Sequence, residues 1–342
     1  MKCFIVILFF LCFGSAHSFS QTTIDFPDTL TAKESHLRVV FYNIENLFDY
    51  EDDSLTADEE FTPEGDRHWN KYRYEDKLKK TGKTLLAIGE WEPPAIVAFC
   101  EIENRKVLED LLYKSCLYSI GYKIIHFNSG DRRGIDVGLI YRPDLFHPIS
   151  QHPIRINHPF FEEYPTRDIL YAKGTVPSGD TLHLFVNHWP SKRGNSVSSA
   201  PRREAVARVL RAKVDSIKSI SSQAHLLIMG DFNDSPSASS VSLVAGNDLV
   251  NLMEKDQWQK GTHGFEGRWE MLDQFIVSKG LVEGKSGLRI RGEKGQIFEA
   301  EWLLKENANG DQTTNRTFQG PAYKGGFSDH LPIYLDLEML NK

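Results

Sequence analysis

Several things are scarce in this 342-residue sequence, and each scarcity narrows what the chain can be. Four cysteines, Cys3, Cys12, Cys100 and Cys116, are too few for a disulfide scaffold. Forty Lys and Arg against 47 Asp and Glu leave a formal charge of −7, which argues against a protein that coats nucleic acid with a broad basic face. The 25 glycines and 15 prolines form no collagen-like period and no low-complexity tract, and a hydrophobic content of 40% excludes general disorder. Beyond the N-terminus no apolar run approaches the about 20 residues that a membrane-spanning helix requires. What remains is an ordinary globular composition with enough apolar material for one large core.

The N-terminus reads Met1-Lys2, then an almost wholly apolar Cys3 to Phe13, then small residues through Ser20. That pattern is a signal peptide, residues 1–20, and predicts a secreted or periplasmic protein with no stable membrane insertion. Cleavage after Ala16, Ser18 or Ser20 fits equally well. Removing the leader leaves Cys100 and Cys116. Cys100 sits in an apolar, strand-like run where a buried free thiol is the commoner finding, so two unpaired thiols are expected. No Pro-, Ser- or Gly-rich linker divides the rest, and residues 21–342 read as one domain.

Short β-branched and aromatic runs recur at Leu37 to Tyr42, Ala95 to Cys100, Asp136 to Tyr141, Leu182 to Val186, Leu226 to Met229, Leu272 to Val277 and Pro332 to Leu337, and read as strands. Helical spacing is clearest at Tyr72 to Ile88 and Arg202 to Ile217, so the class is mixed α/β. Asp49 to Asp66 is acidic, lacks periodicity and reads as a surface loop. Gly280 to Gly326 is irregular, with Phe298, Trp302 and Leu303 suggesting a hairpin or a partly ordered flap. The basic pairs Arg132-Arg133, Lys192-Arg193 and Arg202-Arg203 read equally as solvated surface or as phosphate contacts.

Nearly every expected strand ends in a polar group that does not belong in a core. Tyr42 is followed by Asn43 and Glu45, Cys100 by Glu101, Val186 by Asn187 and His188, and Met229 by Gly230, Asp231 and Asn233. Leu272 is followed by Asp273, and Ser328 by Asp329 and His330. Taken singly, an Asp or Glu after a strand is more often a cap or turn residue, and a His beside an apolar run is more often structural. Six such sites in one chain are hard to explain that way, because sheets fix functional groups at strand ends where loops leave room for a ligand.

In their order, Asn43 with Glu45, Glu101, Asn187-His188-Trp189-Pro190, Gly230-Asp231-Phe232-Asn233-Asp234, Leu272-Asp273 and Ser328-Asp329-His330-Leu331-Pro332 resemble the motifs of the endonuclease/exonuclease/phosphatase superfamily. The match runs from about Leu37 to about Leu337. The resemblance implies a deoxyribonuclease I-like four-layer α/β sandwich, two packed mixed β-sheets flanked by helices. It implies a divalent cation, Mg²⁺ with Mn²⁺ or Ca²⁺ as substitutes, held by Glu101 with Asn43 and Asp329 and with Glu45 close by, an oxygen-donor set suited to a hard ion. His330 becomes a proton-transfer group oriented by Asp273. Asp231 orients or deprotonates the attacking water, Asn233 donates to a phosphate oxygen, and His188 with Asn187 contacts phosphate or leaving group. His188 stands where the exonuclease III branch usually carries Asn, which favours the other branches. Arg167 resembles an Arg that the nuclease branch uses on phosphate, with a surface ion pair to Asp168 or Glu163 as the bland alternative.

The resemblance makes the chain a phosphoester hydrolase whose expected substrate is DNA or RNA, acting as a monomer. The alternatives are a phosphatase or a sphingomyelinase/phospholipase C-like enzyme acting on sugar, inositol or lipid phosphates, and a non-catalytic binding module. The intact set of Glu101, Asp231, Asn233, Asp273, Asp329 and His330 speaks against the last. The segment from Lys192 to Arg202 reads as a substrate-contact loop or a plain polar connection, and Trp269 as a stacking platform or a rim tryptophan.

Overall fold

Leu37, Val39 and Phe41 alternate with Val40 and Tyr42 along the first strand, and all five side chains are buried. A strand buried on both faces belongs to the middle of a layered structure. The computed structural model describes residues 36–90, 92–192, 196–254, 260–284, 287–307 and 309–340. The signal-peptide expectation for 1–20 lies outside the described residues.

The chain opens with β1 (His36–Leu47), α1 (Lys71–Gly89), β2 (Ile96–Ile102) and α2 (Arg105–Lys114). Next come β3 (Lys123–His126), β4 (Asp136–Tyr141), β5 (His147–Ile154), β6 (Ile169–Thr175) and β7 (Thr181–His188). After α3 (Ser196–Ile220) follow β8 (His225–Asp231), α4 (Ser239–Ala245) and β9 (Leu249–Asn251). The chain continues with β10 (His263–Phe265), β11 (Arg268–Glu270), β12 (Asp273–Ser278) and α5 (Lys279–Glu283). It closes with β13 (Leu288–Ile290), β14 (Gln296–Ile297), β15 (Leu304–Glu306), β16 (Gln312–Thr314), β17 (Phe318–Gln319), β18 (Ala322–Tyr323) and β19 (Ile333–Met339).

Two mixed sheets carry the fold. The first runs β13-β19-β1-β2-β4-β3 with β14 also on β19, and the second runs β5-β6-β7-β8-β12-β9. Each contains one parallel pair, β1 with β2 and β7 with β8, and is otherwise antiparallel. The period-2 alternation of side chains then builds three cores. Phe41, Leu139, Leu184, Met229, Phe275 and Leu335 fill the space between the sheets. Tyr42, Val97 and Phe99 pack outward on Leu78, Leu85 and Leu108 of α1 and α2. Phe185, Leu226 and Ile228 pack outward on Val206, Leu210 and Val214 of α3. This is the four-layer α/β sandwich, and each fully buried Leu or Phe contributes about 1.5–3 kcal/mol.

Local chemistry sets the helix ends. Asn70 accepts from the Arg73 N–H and Asn104 from the Val107 N–H, capping α1 and α2. Pro93 and Pro94 follow the end of α1 and forbid its continuation.

Several expectations need correction. The segment from Asp49 to Asp66 is a mostly exposed loop, as expected, but it is also anchored: Phe61 is buried and stacks on Phe48 with centroids 4.2 Å apart, and Asp49 and Asp58 are buried too. Gly280 to Gly326 takes the hairpin form of the two expected for it rather than the flap. Two of its strands, β13 and β14, pair with β19, while β15-β16 forms a small hairpin at a minor core of Leu303, Phe327 and Leu331, and β17-β18 forms another whose Phe318 and Tyr323 join the core on the α1 side. The helix expected from Arg202 begins earlier, at Ser196, so only the first part of the segment from Lys192 to Arg202 is a connection. Strands β3, β5, β6, β9, β10 and β11 and helices α2, α4 and α5 are not among the expected elements. Cys100 is a buried free thiol and Cys116 an exposed one, as expected.

Candidate active site

In each parallel pair both strands finish at the same edge. That puts Asn43 with Glu101, and His188 with Asp231, side by side without any long-range loop needing to place them. Strand β12 runs antiparallel to β8 and begins there, so Asp273 faces Asp231 in register. Residues Ser328 to His330 immediately precede β19, antiparallel to β1, and complete the rim. The result is a cleft of about 200 Å³ whose lining includes Glu101, His188, Asp231, Asn233, Asp329 and His330.

The backbone at this edge is strained. Of eight non-glycine residues with positive φ among the described residues, Glu45, Asn46, Glu101 and Asn233 are here, with φ of 51°, 54°, 60° and 48°. Residues held in this region cost on the order of 1–3 kcal/mol each and collect at functional sites. Gly230 is required for a different reason: a Cβ there would lie 2.4 Å from the Asn187 carbonyl oxygen, so only glycine lets β8 pass β7 closely enough to present Asp231.

The hydrogen bonds form one connected set. Asn43 Nδ2 donates to Asp231 Oδ2 at 3.1 Å and to Glu101 Oε1 at 3.4 Å, and its Oδ1 accepts from the Glu45 N–H. The Asn46 N–H donates to Glu101 Oε2 at 3.0 Å. His330 Nδ1 lies 2.6 Å from Asp273 Oδ2, and the other ring nitrogen, Nε2, is 3.9 Å from Asp231 Oδ2. His188 Nε2 stands 3.9 Å from Glu101 and 3.8 Å from Asp231. Asn233 donates its backbone N–H to Asp231 Oδ1 and its amide to the Trp189 carbonyl. Arg316 holds Asp329 at 2.9 Å.

Burial sets the two imidazoles apart. It opposes charge on His330, yet Asp273, Asp231 and Asp329 carry its pKa well above the ordinary value. Burial, with the positive fields of Arg167 and Arg133, pushes His188 well below. One ring is therefore held charged and the other neutral at neutral pH. Asp231 is lifted above the usual carboxylate range by burial, against His330 and with the help of Asp273 and Glu101.

That crowding of carboxylates is the observation that tests whether a cation fits. Glu101, Asp231 and Asp329 offer oxygen donors around one cleft, where a positive charge relieves their mutual repulsion; Asn43, expected as a ligand, instead turns its Nδ2 to Asp231 and Glu101 and its oxygen to the Glu45 N–H, and so steadies the carboxylates. The nearby Cys100 sulfur also lies within ligand range of His188 and Asp231, but burial and the neighbouring carboxylates keep its thiol protonated, which disfavours a thiolate-loving metal. The donor set suits a hard divalent ion.

Three expected residues spend their polar groups on the protein itself. Glu45 turns from the cleft and accepts the N–H groups of Thr317 at 2.6 Å and Phe318 at 3.4 Å. Asn187 is fully buried and its amide is spent inside, donating to the Met229 carbonyl and accepting from the Trp189 indole, so a phosphate contact is sterically closed to it. Arg167 is neither a surface residue nor paired with Asp168 or Glu163; it is buried, 3.1 Å from Asp131, and donates to the Trp189 carbonyl at 2.6 Å. Trp269 is a rim residue with Lys260 over its ring at 5.9 Å. Arg203, of the Arg202-Arg203 pair read equally as surface or phosphate contact, is buried against Asp234 at 2.8 Å.

Sequence reasoning missed His263, whose ring packs 4.9 Å from His330 and whose pKa is lowered to about 4 by burial and by that neighbour. It follows no long strand, so nothing local marks it. Lys77 was missed as well: a buried ammonium on α1 that donates to Thr317 Oγ1 at 2.5 Å and the Phe327 carbonyl at 2.6 Å. Its helical position gave it the look of a solvated lysine.

A sequence model described as the endonuclease/exonuclease/phosphatase family matches residues 38–339. No curated protein matches the sequence. Among solved structures, humanized D. rerio TDP2 is similar with a TM-score of 0.57 at 15% identity, covering 89% of this chain and 99% of its own. The human Nocturnin catalytic domain with bound sulfate gives 0.56 at 17%, covering 89% and 95%. A mannosyl-6-phosphatase from Bacteroides thetaiotaomicron gives 0.55 at 14%, covering 88% and 99%. Likeness at these identities speaks to the fold.

Proposed function

We propose, from the premise that this chain belongs to the endonuclease/exonuclease/phosphatase family of metal-dependent phosphoester hydrolases, that it is an exported, Mg²⁺-dependent phosphodiesterase acting on nucleic acid. The observation that carries the catalytic part is the cleft itself, where Asp273, His330, Asp231, Asn43 and Glu101 are joined within hydrogen-bonding or near hydrogen-bonding distance. Export rests on the leader-like residues 1–20 alone.

Glu101 and Asp329 would hold the cation, which would neutralise charge on the phosphate oxygens, with Asn43 orienting Glu101 through its Nδ2. The chain's own groups supply the rest. Asp231, lifted by burial, is a competent proton acceptor for the attacking water near neutral pH. His330, kept charged by Asp273, donates through Nε2 to the phosphate or the departing oxygen, and Asp273 fixes which nitrogen faces the substrate. His188, kept neutral, offers a second polar contact without adding charge. Asn233 stiffens the loop behind Asp231 through its bonds to Asp231 and Trp189.

The small cleft volume favours a second reading, hydrolysis of a sugar phosphomonoester, because about 200 Å³ accommodates little more than one phosphate and its sugar. A panel of duplex and single-stranded DNA, RNA, bis-p-nitrophenyl phosphate, sphingomyelin, inositol phosphates and sugar phosphates, assayed with Mg²⁺, separates the two. Nucleic acid cleaved with the highest kcat/KM is the expected result. Turnover restricted to sugar phosphates would replace it with the second reading, and cleavage of nothing with metal bound would mean a binding module.

A further inference from the structure

Beside the catalytic cleft, and sharing Arg133 and Ser191 with its wall, opens a second and larger cavity of about 450 Å³. Its lining contains Arg132, Arg133, Arg167 and Arg202 against one carboxylate, Asp131, so three positive charges are left over in a protein whose formal charge is −7. Asp131 is taken up by Arg167 at 3.1 Å and Arg133 at 3.4 Å. Arg132 and Arg202 meet no carboxylate among the described residues; they donate only to the carbonyls of Glu163 and Tyr164. The buried Nε of Arg167 and hydroxyl of Thr166 in the same wall have no hydrogen-bond partner there either. An excess of guanidinium groups without counter-charges is a site for an anion.

The loop that carries two of these arginines is held in place. Arg133 N–H donates to Asp131 Oδ1, Gly134 N–H to the Asp131 carbonyl, and the Arg132 carbonyl accepts from Ala57 at 2.7 Å. Above it stands Tyr164, half exposed, with the Arg132 guanidinium 4.3 Å from its ring centroid. The cavity thus combines several cations with a half-exposed aromatic ring, the two elements that grip a single strand through its phosphates and its bases.

We propose that this cavity seats the phosphate and base next to the scissile bond, so that a single nucleic-acid strand runs from the Arg132–Arg202 pocket across Arg133 into the catalytic cleft. The inference rests on the phosphodiesterase reading for what happens in the cleft, and adds which substrate class the enzyme selects and by which residues. A sugar monophosphate has no second phosphate and leaves the pocket unused.

The test uses a fluorescein-labelled oligothymidylate and bis-p-nitrophenyl phosphate with the purified protein and its Arg132→Gln/Arg202→Gln double variant. Both arginines are at least partly exposed, so the fold should survive, and a thermal melt checks it. With metal chelated, anisotropy should show the oligonucleotide binding about tenfold more weakly to the double variant, with the salt slope smaller by about 1 for each arginine removed. With Mg²⁺, selectivity for the oligonucleotide over the single-phosphate diester should fall about tenfold, through KM. Tyr164→Ala should weaken binding by about 5-fold or more while leaving the salt slope alone. Oligonucleotide affinity equal in wild type and double variant, or no binding to wild type, overturns the proposal. Arginine-dependent binding with no hydrolysis of either diester upholds the pocket and instead overturns the phosphodiesterase reading.

Discussion

At the scale of single residues the site is a contest between burial and charge, and the contest gives each side chain its protonation state. His330 retains its proton because Asp273 sits 2.6 Å away, so removing the carboxylate must release it. Asp273→Asn therefore lowers the His330 pKa, and if charged His330 is the active form, the alkaline limb of the kcat profile moves to lower pH. A profile that keeps its alkaline limb would remove His330 from proton donation. His330→Ala should reduce kcat by about 10²–10⁴-fold through lost proton transfer, and should lower the melting temperature as well, since it strands the buried Asp273 carboxylate. Glu101→Gln should leave the fold intact but weaken Mg²⁺ binding most among the cleft variants. Calorimetric titration showing wild-type Mg²⁺ affinity in that variant would contradict its role as ligand.

At the scale of elements, α1 is tied to the far end of the chain by one buried cation. Lys77 donates to Thr317 and to the Phe327 carbonyl; Thr317 in turn holds Glu45, and Phe327 leads directly into Ser328-Asp329-His330. A methionine at this position keeps the volume but leaves buried acceptors unpaired. Lys77→Met should cost about 1–3 kcal/mol in denaturant unfolding. An equally stable variant would mean that the segment from Thr317 to Phe327 is held by its own aromatic contacts, such as Phe318 with Tyr323 at 5.5 Å.

At the scale of the whole molecule, several histidines are buried in their neutral form away from the cleft. Burial and nearby Lys173 lower His183 from the ordinary 6.5 to about 4, and His225 is lowered by burial too. A folded-state pKa below the unfolded value favours the deprotonated folded form, so this stability is present above about pH 6.5 and is lost as pH falls toward about 4. Melting temperature should decline across that window. His183→Gln, which keeps an acceptor for the Tyr171 hydroxyl now 2.8 Å from the ring, should flatten the decline. An unchanged slope would assign the acid sensitivity to other groups.

The alternation along the strands gave a mixed α/β class, and the order of the polar strand ends carried the resemblance that implied the family, the four-layer sandwich and most of the cleft, because a strand's terminus and its facing side chains are local properties of sequence. Glu101, Asp231, Asp273, Asp329 and His330 were legible for that reason. Tertiary structure alone decided that Asn187 and Glu45 turn inward, that Arg167 pairs with Asp131, and that His263 and Lys77 come near the cleft from outside any strand-end motif. It also decided that Arg132 and Arg202, 70 positions apart, share one cavity. Those outcomes depend on which distant groups compete for the same hydrogen bond or the same charge, and such competition exists only once the two sheets have packed.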